Sequence, residues 1–360
     1  MANTLQLYFP QLRVRQQVLD EIMSKENLKT LYETWNEKQQ NYFLDICSGA
    51  RGVKMLYDSF FKEILNPDTV PKRLEELLSL LLHQQVKILK VLPNDSTRIA
   101  DENSLLIMDI VVELEGGSIA NVECQKIGYA FPGQRAACYS ADLLLRQYKR
   151  VKGEKGKTFS YKDIKKVYSI IFYEQSPKEF HAFPEHNIHR SKQKSDTGVE
   201  IELLQEFLFV PLDIAQKIYQ NSGIRNKLDA WLIFLSNDDP EVIVQLIGKY
   251  PEFREMYEDI YDLCLSTERV MDMFSKELLE LDRNTVQYMI DEMQDEIDEQ
   301  KMQIREKDVK LQEKDSKLQE KDAKLQEKDV KLQEKDEQLL KKEAEIADLR
   351  EKLRILTSQN

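Results

Sequence analysis

Cysteine is scarce in this chain. Cys47, Cys124, Cys138 and Cys264 are the only four in 360 residues, and no two stand at CxxC or other metal-ligand spacing. That excludes a disulfide scaffold and a cysteine-based zinc site, and fits free thiols in a reducing cytoplasm. Histidine is equally rare. His181, His186 and His189 lie close in sequence, but Pro184 interrupts them and their spacing fits no standard zinc site, so they read as loop residues. The eleven glycines form no glycine-rich phosphate loop and no nucleophile elbow. No apolar run approaches the length of a membrane span. The N-terminus carries no basic region followed by an apolar core, so no secretory signal is expected.

Positive charge is also in deficit, with a net charge of −12, but the deficit is local. Residues 251–300 hold sixteen Asp and Glu against four Arg and Lys. Residues 146–166 hold nine Lys and Arg against Glu154 and Asp163. Such an excess attracts phosphates whatever the sum says, and Lys149, Arg150 and Lys152 are its candidate nucleic-acid contacts. The bland alternative is a solvated basic loop, loosened by Gly153 and Gly156.

The apolar pattern divides the chain into four parts. Residues 1–50 are polar with scattered apolar positions and read as a helical, mobile N-terminal segment, with docking on the core as the alternative. Residues 51–212 alternate helix and strand. Apolar residues recur at helical spacing over 53–83, Asn66-Pro67-Asp68 breaks the run, and Pro71 suits the first turn of the second helix. A short strand is expected at 86–92, a turn at Pro93-Asn94-Asp95, and a helix from Pro132 to about Arg150. Residues 167–173 (Val-Tyr-Ser-Ile-Ile-Phe-Tyr) predict a central strand, and 206–211 another. Residues 213–285 read as a helical subdomain marked by Trp231, Phe234 and Leu235, and 286–356 as one long helix.

The chemistry concentrates between two apolar runs. Leu-Leu-Ile-Met-Asp109-Ile-Val-Val and Ser-Ile-Ala-Asn-Val-Glu123-Cys124-Gln125-Lys126 flank Glu115-Gly116-Gly117. They predict a β-hairpin. Centred on Gly116, it sets position 109 opposite position 123, with Cβ atoms about 5 Å apart. Two carboxylates held so close among apolar residues need a proton or a divalent cation between them. Gln125 shares the Glu123 face, whereas Lys126 points the other way. A strand-terminal, solvated Asp109 is the alternative, and the neighbouring Met108, Ile110 and Val111 count against it.

Asp109, the hairpin, then Glu123-x-Gln125 resembles the Asp…(Glu/Asp)-x-Lys core of the PD-(D/E)XK nuclease superfamily. The nearer likeness is to its transposase-associated, recombination-promoting nuclease-like branch, where Gln commonly replaces Lys. Phe60-Phe61-Lys62-Glu63-Ile64-Leu65-Asn66-Pro67 resembles that branch's N-terminal helix. Gln134-Arg135-Ala-Ala-Cys-Tyr139 resembles its post-core helix, and Asp282-Arg-Asn-Thr-Val-Gln-Tyr-Met-Ile290 its tail. The resemblance implies an α/β fold with a restriction-endonuclease-like αβββαβ core. It implies DNA as partner and an Mg²⁺ cofactor, with Mn²⁺ as substitute, on Asp109, Glu123 and the Cys124 carbonyl. Gln125 would orient water or donate to a phosphate oxygen. Arg135, which shares a helix face with Tyr139, is a candidate phosphate clamp, with a helix-surface ion pair as the alternative. Glu63 and Glu76 are both open as the first-helix acid. The function implied is metal-dependent endonuclease action on DNA in transposition or recombination. The rival is a weak or inactive nuclease fold acting as a DNA-binding or self-assembling protein.

The tail is a heptad array. Ile290, Ile297, Ile304, Leu311, Leu318, Leu325, Leu332, Leu339, Ile346 and Leu353 recur every seven residues, with near-copies of Lys-Leu-Gln-Glu-Lys-Asp among them. One long helix is expected. With Leu at d, the a positions are Asp308, Asp315, Asp322, Asp329 and Asp336, which oppose dimer packing. Glu313–Lys317, Glu320–Lys324 and Glu327–Lys331 support a lone helix. The expectation is a marginal coiled coil giving a homo-oligomer.

Overall fold

The computed structural model describes residues 3–92, 109–127 and 132–357. The Pro93-Asn94-Asp95 turn and residues 105–108 of the first hairpin run lie outside them. Helices α1 (Thr4–Tyr8), α2 (Arg15–Ser24), α3 (Glu26–Glu33), α4 (Glu37–Ser48), α5 (Asp58–Ile64) and α6 (Pro71–Leu82) precede the first strand. Asn36 caps α4 by accepting from the Gln39 N–H at 3.0 Å, and Gln39 accepts from the Asn36 N–H in return. Pro71 occupies the first turn of α6, where no N–H is needed. The N-terminal helices are integral to the core. Leu5, Phe9, Val18, Ile22 and Phe43 are fully buried in the same apolar cluster as Val122, Ile170 and Phe172 of the sheet. Truncating one such buried Phe costs about 3–5 kcal/mol, so this segment is not a mobile appendage.

The sheet is built from β1 (Ile88–Val91), β2 (Ile110–Leu114), β3 (Ile119–Ile127), β4 (Val167–Gln175), β5 (His189–Lys192) and β6 (Gln205–Pro211), with α7 (Pro132–Lys155) crossing between β3 and β4. Its order is β1-β2-β3-β4-β6-β5. The strands β3, β4 and β6 run parallel, and the remaining pairs are antiparallel. This contains the αβββαβ order the sequence predicts. β4 lies between two parallel neighbours and is buried on both faces, which explains its run of apolar residues, interrupted only by Ser169. The β2–β3 turn passes through Gly116 and Gly117 at φ 96 and 86, a left-handed geometry that favours glycine at both positions. β5 is a difference from the sequence reading. Its His-Arg-Ser-Lys has no apolar alternation, and it is held at the sheet edge by pairing with β6. His189 therefore begins a strand and is not a loop residue.

Strand alternation gives the two faces different roles. Val112, Val122, Ile170, Phe172 and Leu208 join the main core, where Phe61 of α5 meets Phe172 at 6.4 Å. Val111, Ile119 and Val167 pack under Tyr139 and Leu143 of α7.

Helices α8 (Leu212–Ser222), α9 (Lys227–Ser236), α10 (Pro240–Lys249), α11 (Phe253–Leu265) and α12 (Thr267–Thr357) complete the chain. The described residues fall into two units divided between Asp291 and Glu292. The helices after residue 213 share the main core, and α12 starts well before residue 286 because Val270, Met271 and Phe274 are buried in that core. Thr267 is tied to α2: its hydroxyl and Arg13 both donate to Glu21. Within the second unit, α12 is continuous and its stripe from Ile304 to Leu339 is exposed.

Candidate active site

The β2–β3 register pairs Ile110 with Val122. Asp109 is the residue before β2, and the same register continued by one step meets Glu123. Cys124 donates its N–H to Asp109 Oδ2 at 2.7 Å. A strand residue turns its N–H and C=O toward the same neighbour, so the Cys124 carbonyl also points to the Asp109 side. Asn121, Glu123 and Gln125 share the α7 face, and Asn121 donates to Glu123 Oε1 at 2.6 Å. Glu123 is 4% exposed and Gln125 8%.

Both carboxyls sit where ionisation is unfavourable. Burial, then the charge of Asp58, push Asp109 up to about 7; Lys62 and the Cys124 N–H pull it back, and Glu123 adds to the rise. Burial likewise raises Glu123, against the pull of Asn121, Arg135 and Gln125. Lys62 Nζ stands 3.4 Å from Asp109 Oδ1 and 2.8 Å from Asp58 Oδ1. Burial works to lower the Lys62 pKa, yet Asp109 and Asp58 hold it above the ordinary range, so it stays charged.

Two buried polar atoms beside Glu123 lack hydrogen-bond partners among the described residues: Gln125 Oε1 and the Tyr173 hydroxyl. They belong to paired positions of β3 and β4. Burial, then Glu123, raise the Tyr173 hydroxyl above its usual range. The available donors are hard oxygens from carboxylates, an amide and a backbone carbonyl. They fit a small oxygen-seeking divalent cation. Among the described residues, no group of three or more His, Cys, Asp or Glu comes together, so the fit is to a two-carboxylate site and not to a histidine-rich one.

Glu63 and Glu76, the two residues left open as the first-helix acid, each have a partner outside the Asp109–Glu123 pair. Glu63 pairs with Arg269 at 2.9 Å. Glu76 accepts from the Trp231 indole at 2.8 Å. The acid of α5 whose charge acts on Asp109 is Asp58, and both carboxylates contact Lys62; the sequence reading did not single it out, although the Phe60-Phe61-Lys62 signature lies next to it. Lys126 points away, pairing with buried Glu277 and lying 5.6 Å from the Tyr57 ring. Glu277 also accepts from the Asp58 N–H at 3.0 Å, fixing the start of α5.

Arg135 stacks 5.0 Å over the Tyr139 ring at the start of α7, and its charge reaches Glu123. The basic stretch lies elsewhere. From Arg135 to Lys152 the helix rises about 25 Å. Gln147 donates to the Gly117 carbonyl at 3.0 Å, at the opposite end of β3 from Glu123. Arg150 is drawn into an ion pair with buried Glu113. Lys155 pairs with Asp163, and Lys166 with Glu202 and Glu206. Lys149, Lys152, Lys157, Lys162 and Lys165 are exposed, with no ion pair among the described residues. Tyr148, Phe159 and Tyr161 cluster between them, with Tyr148 and Tyr161 stacked at 6.0 Å.

A mixed sheet of this order, with an acidic pair at the open end of its central hairpin, defines a nuclease-like α/β protein. The chain belongs to the PD-(D/E)XK nuclease family transposases, whose family profile matches residues 55–290. No curated protein and no solved structure gives a significant match. Membership supports a nuclease-like function associated with transposition.

Proposed function

We propose that this chain is a divalent-metal-dependent endonuclease that hydrolyses phosphodiester bonds in DNA. The observation that carries the reading is the pair Asp109 and Glu123, both raised in pKa and flanked by oxygen donors. Asp109, Glu123 and the Cys124 carbonyl would hold the ion. Bound there, Mg²⁺ or Mn²⁺ supplies Lewis-acid contact to the scissile phosphate and lowers the pKa of the attacking water. Lys62 brings to the Asp109 side the positive charge that Gln125 cannot provide. Gln125 donates through its amide to water or to a phosphate oxygen. Arg135 offers a planar guanidinium to the phosphate from the Glu123 side. The exposed lysines near the far end of α7, interleaved with Tyr148 and Tyr161, hold the DNA at a distance from the cut.

The second reading is a weak or inactive nuclease fold that binds DNA, and it is favoured by the neutral Gln125. Nicking of supercoiled plasmid DNA separates the two. The expected result is Mg²⁺-dependent nicking that falls by on the order of 10²-fold or more in Asp109→Ala, the scale for removing a group that stabilises transition-state charge. DNA binding without metal-dependent nicking in the unaltered protein would favour the second reading.

A further inference from the structure

In the second unit, α12 carries a charge pattern that a solitary helix does not need. Leu311, Leu318, Leu325 and Leu332 form a stripe at intervals of seven, each more than half exposed. Three residues after each leucine stands a lysine: Lys314, Lys321, Lys328 and Lys335. Four residues after each stands an aspartate: Asp315, Asp322, Asp329 and Asp336. Helical spacing sets these as two columns flanking the stripe, lysine on one side and aspartate on the other.

The far face satisfies itself. Glu313–Lys317, Glu320–Lys324 and Glu327–Lys331 are i,i+4 pairs in favourable order, and the Glu327–Lys331 ion pair is formed. The flanking columns have no such outlet. At three and four residues from each flanking lysine stand only Leu, Lys or Gln, and from each flanking aspartate only Leu or Gln. Among the described residues none of these eight charges has an ion-pair partner.

We infer that this strip pairs with a second copy of the chain, parallel and in register, with the leucine stripe on the twofold axis. In a parallel twofold pair the flanks exchange sides. Each lysine column then faces an aspartate column, and Lys314 lies within about 1.5 Å, one residue's rise, of the level of Asp315 in the second copy. An antiparallel pair sets lysine against lysine and aspartate against aspartate. Turning the helices until Leu occupies d sets aspartate against aspartate at a, the arrangement expected from the sequence to oppose packing. The strict seven-residue repeat keeps the stripe on the axis through a left-handed supercoil. Whole-heptad slips keep the charge match but sacrifice apolar overlap at Ile304 and Ile346.

The test uses the full chain, in a Cys138→Ser background because Cys138 is the exposed cysteine. Ile304→Cys in that background should give a disulfide-linked dimer on mild oxidation, and light scattering at low salt should give the mass of two chains. The fourfold variant Asp315→Lys, Asp322→Lys, Asp329→Lys, Asp336→Lys should be monomeric with its helicity kept. Mixed with the converse fourfold variant, Lys314→Asp, Lys321→Asp, Lys328→Asp, Lys335→Asp, it should recover a dimer. A monomeric parent chain at low salt, a dimer that fails to cross-link at 304, or a dimer indifferent to the charge swap would each overturn the inference. None of these readouts depends on nuclease activity, so the proposed function stands or falls separately.

Discussion

Lys62 reaches Asp109 from α5, so positive charge absent from position 125 arrives from a different element. If that charge serves the reaction, Lys62→Met should lower metal-dependent cleavage by about 10- to 100-fold, the scale of losing a supporting contact at a metal site. Lys62→Arg should retain more activity than Lys62→Met. Gln125→Lys should retain or raise activity, while Gln125→Ala should lower it. Initial rates on plasmid DNA measure all four, and four unchanged rates would remove both residues from the site. The register that pairs Ile110 with Val122 was legible because it follows from symmetry about Gly116. The sharing of a face by Glu123 and Gln125 followed from the two-residue period. Asp58 was not legible, because its approach to Asp109 depends on how α5 packs against the sheet, which no local pattern encodes.

At the scale of elements, sequence adjacency misled where spatial order matters. The basic stretch follows Arg135 closely in sequence, yet the length of α7 carries it to the other end of β3. It should therefore set affinity without touching cleavage chemistry. Neutralising Lys149, Lys152, Lys157 and Lys162 to Gln should flatten the salt dependence of DNA binding by about 0.9 in log–log slope per lost phosphate contact. Filter binding from low to moderate salt checks this, and an unchanged slope would make the stretch a solvated surface. Arg150→Gln should act differently, by unpairing buried Glu113 and destabilising the fold. The long apolar strand β4 announced itself; β5 did not, because an edge strand can rest on main-chain pairing alone.

Across the whole molecule, the heptad tail was legible and the extent of the core was not. Polar composition hid the N-terminal helices, most of whose apolar residues are buried although Leu7, Val14 and Met23 are exposed. One polar clip joins them to α12: Glu21 with Arg13, Lys25 and Thr267. Burial alone would raise the Glu21 carboxyl, but hydrogen bonds from Lys25, Thr267 and Arg13 hold it at about 2, against an ordinary 4.5. A folded-state pKa below the unfolded one gives stability that is present above pH 4.5 and lost as the pH falls toward 2. Glu21→Gln should therefore be less stable than the unaltered protein at neutral pH, with the gap closing across that acid window. Urea unfolding at several pH values measures the gap, and a gap constant with pH would mean the clip carries no linked charge.

The tail's repeats have a genetic consequence. Each copy of Lys-Leu-Gln-Glu-Lys-Asp recurs at seven residues, so twenty-one nucleotides gained or lost by replication slippage would return every leucine, lysine and aspartate to its own column. The helix would lengthen or shorten by about 10 Å per event, and residues 3–291 would be untouched. An in-frame change that is not a whole number of heptads would rotate the stripe off its line. Tail length is thus free to drift in whole heptads, a molecular ruler that copying errors can reset.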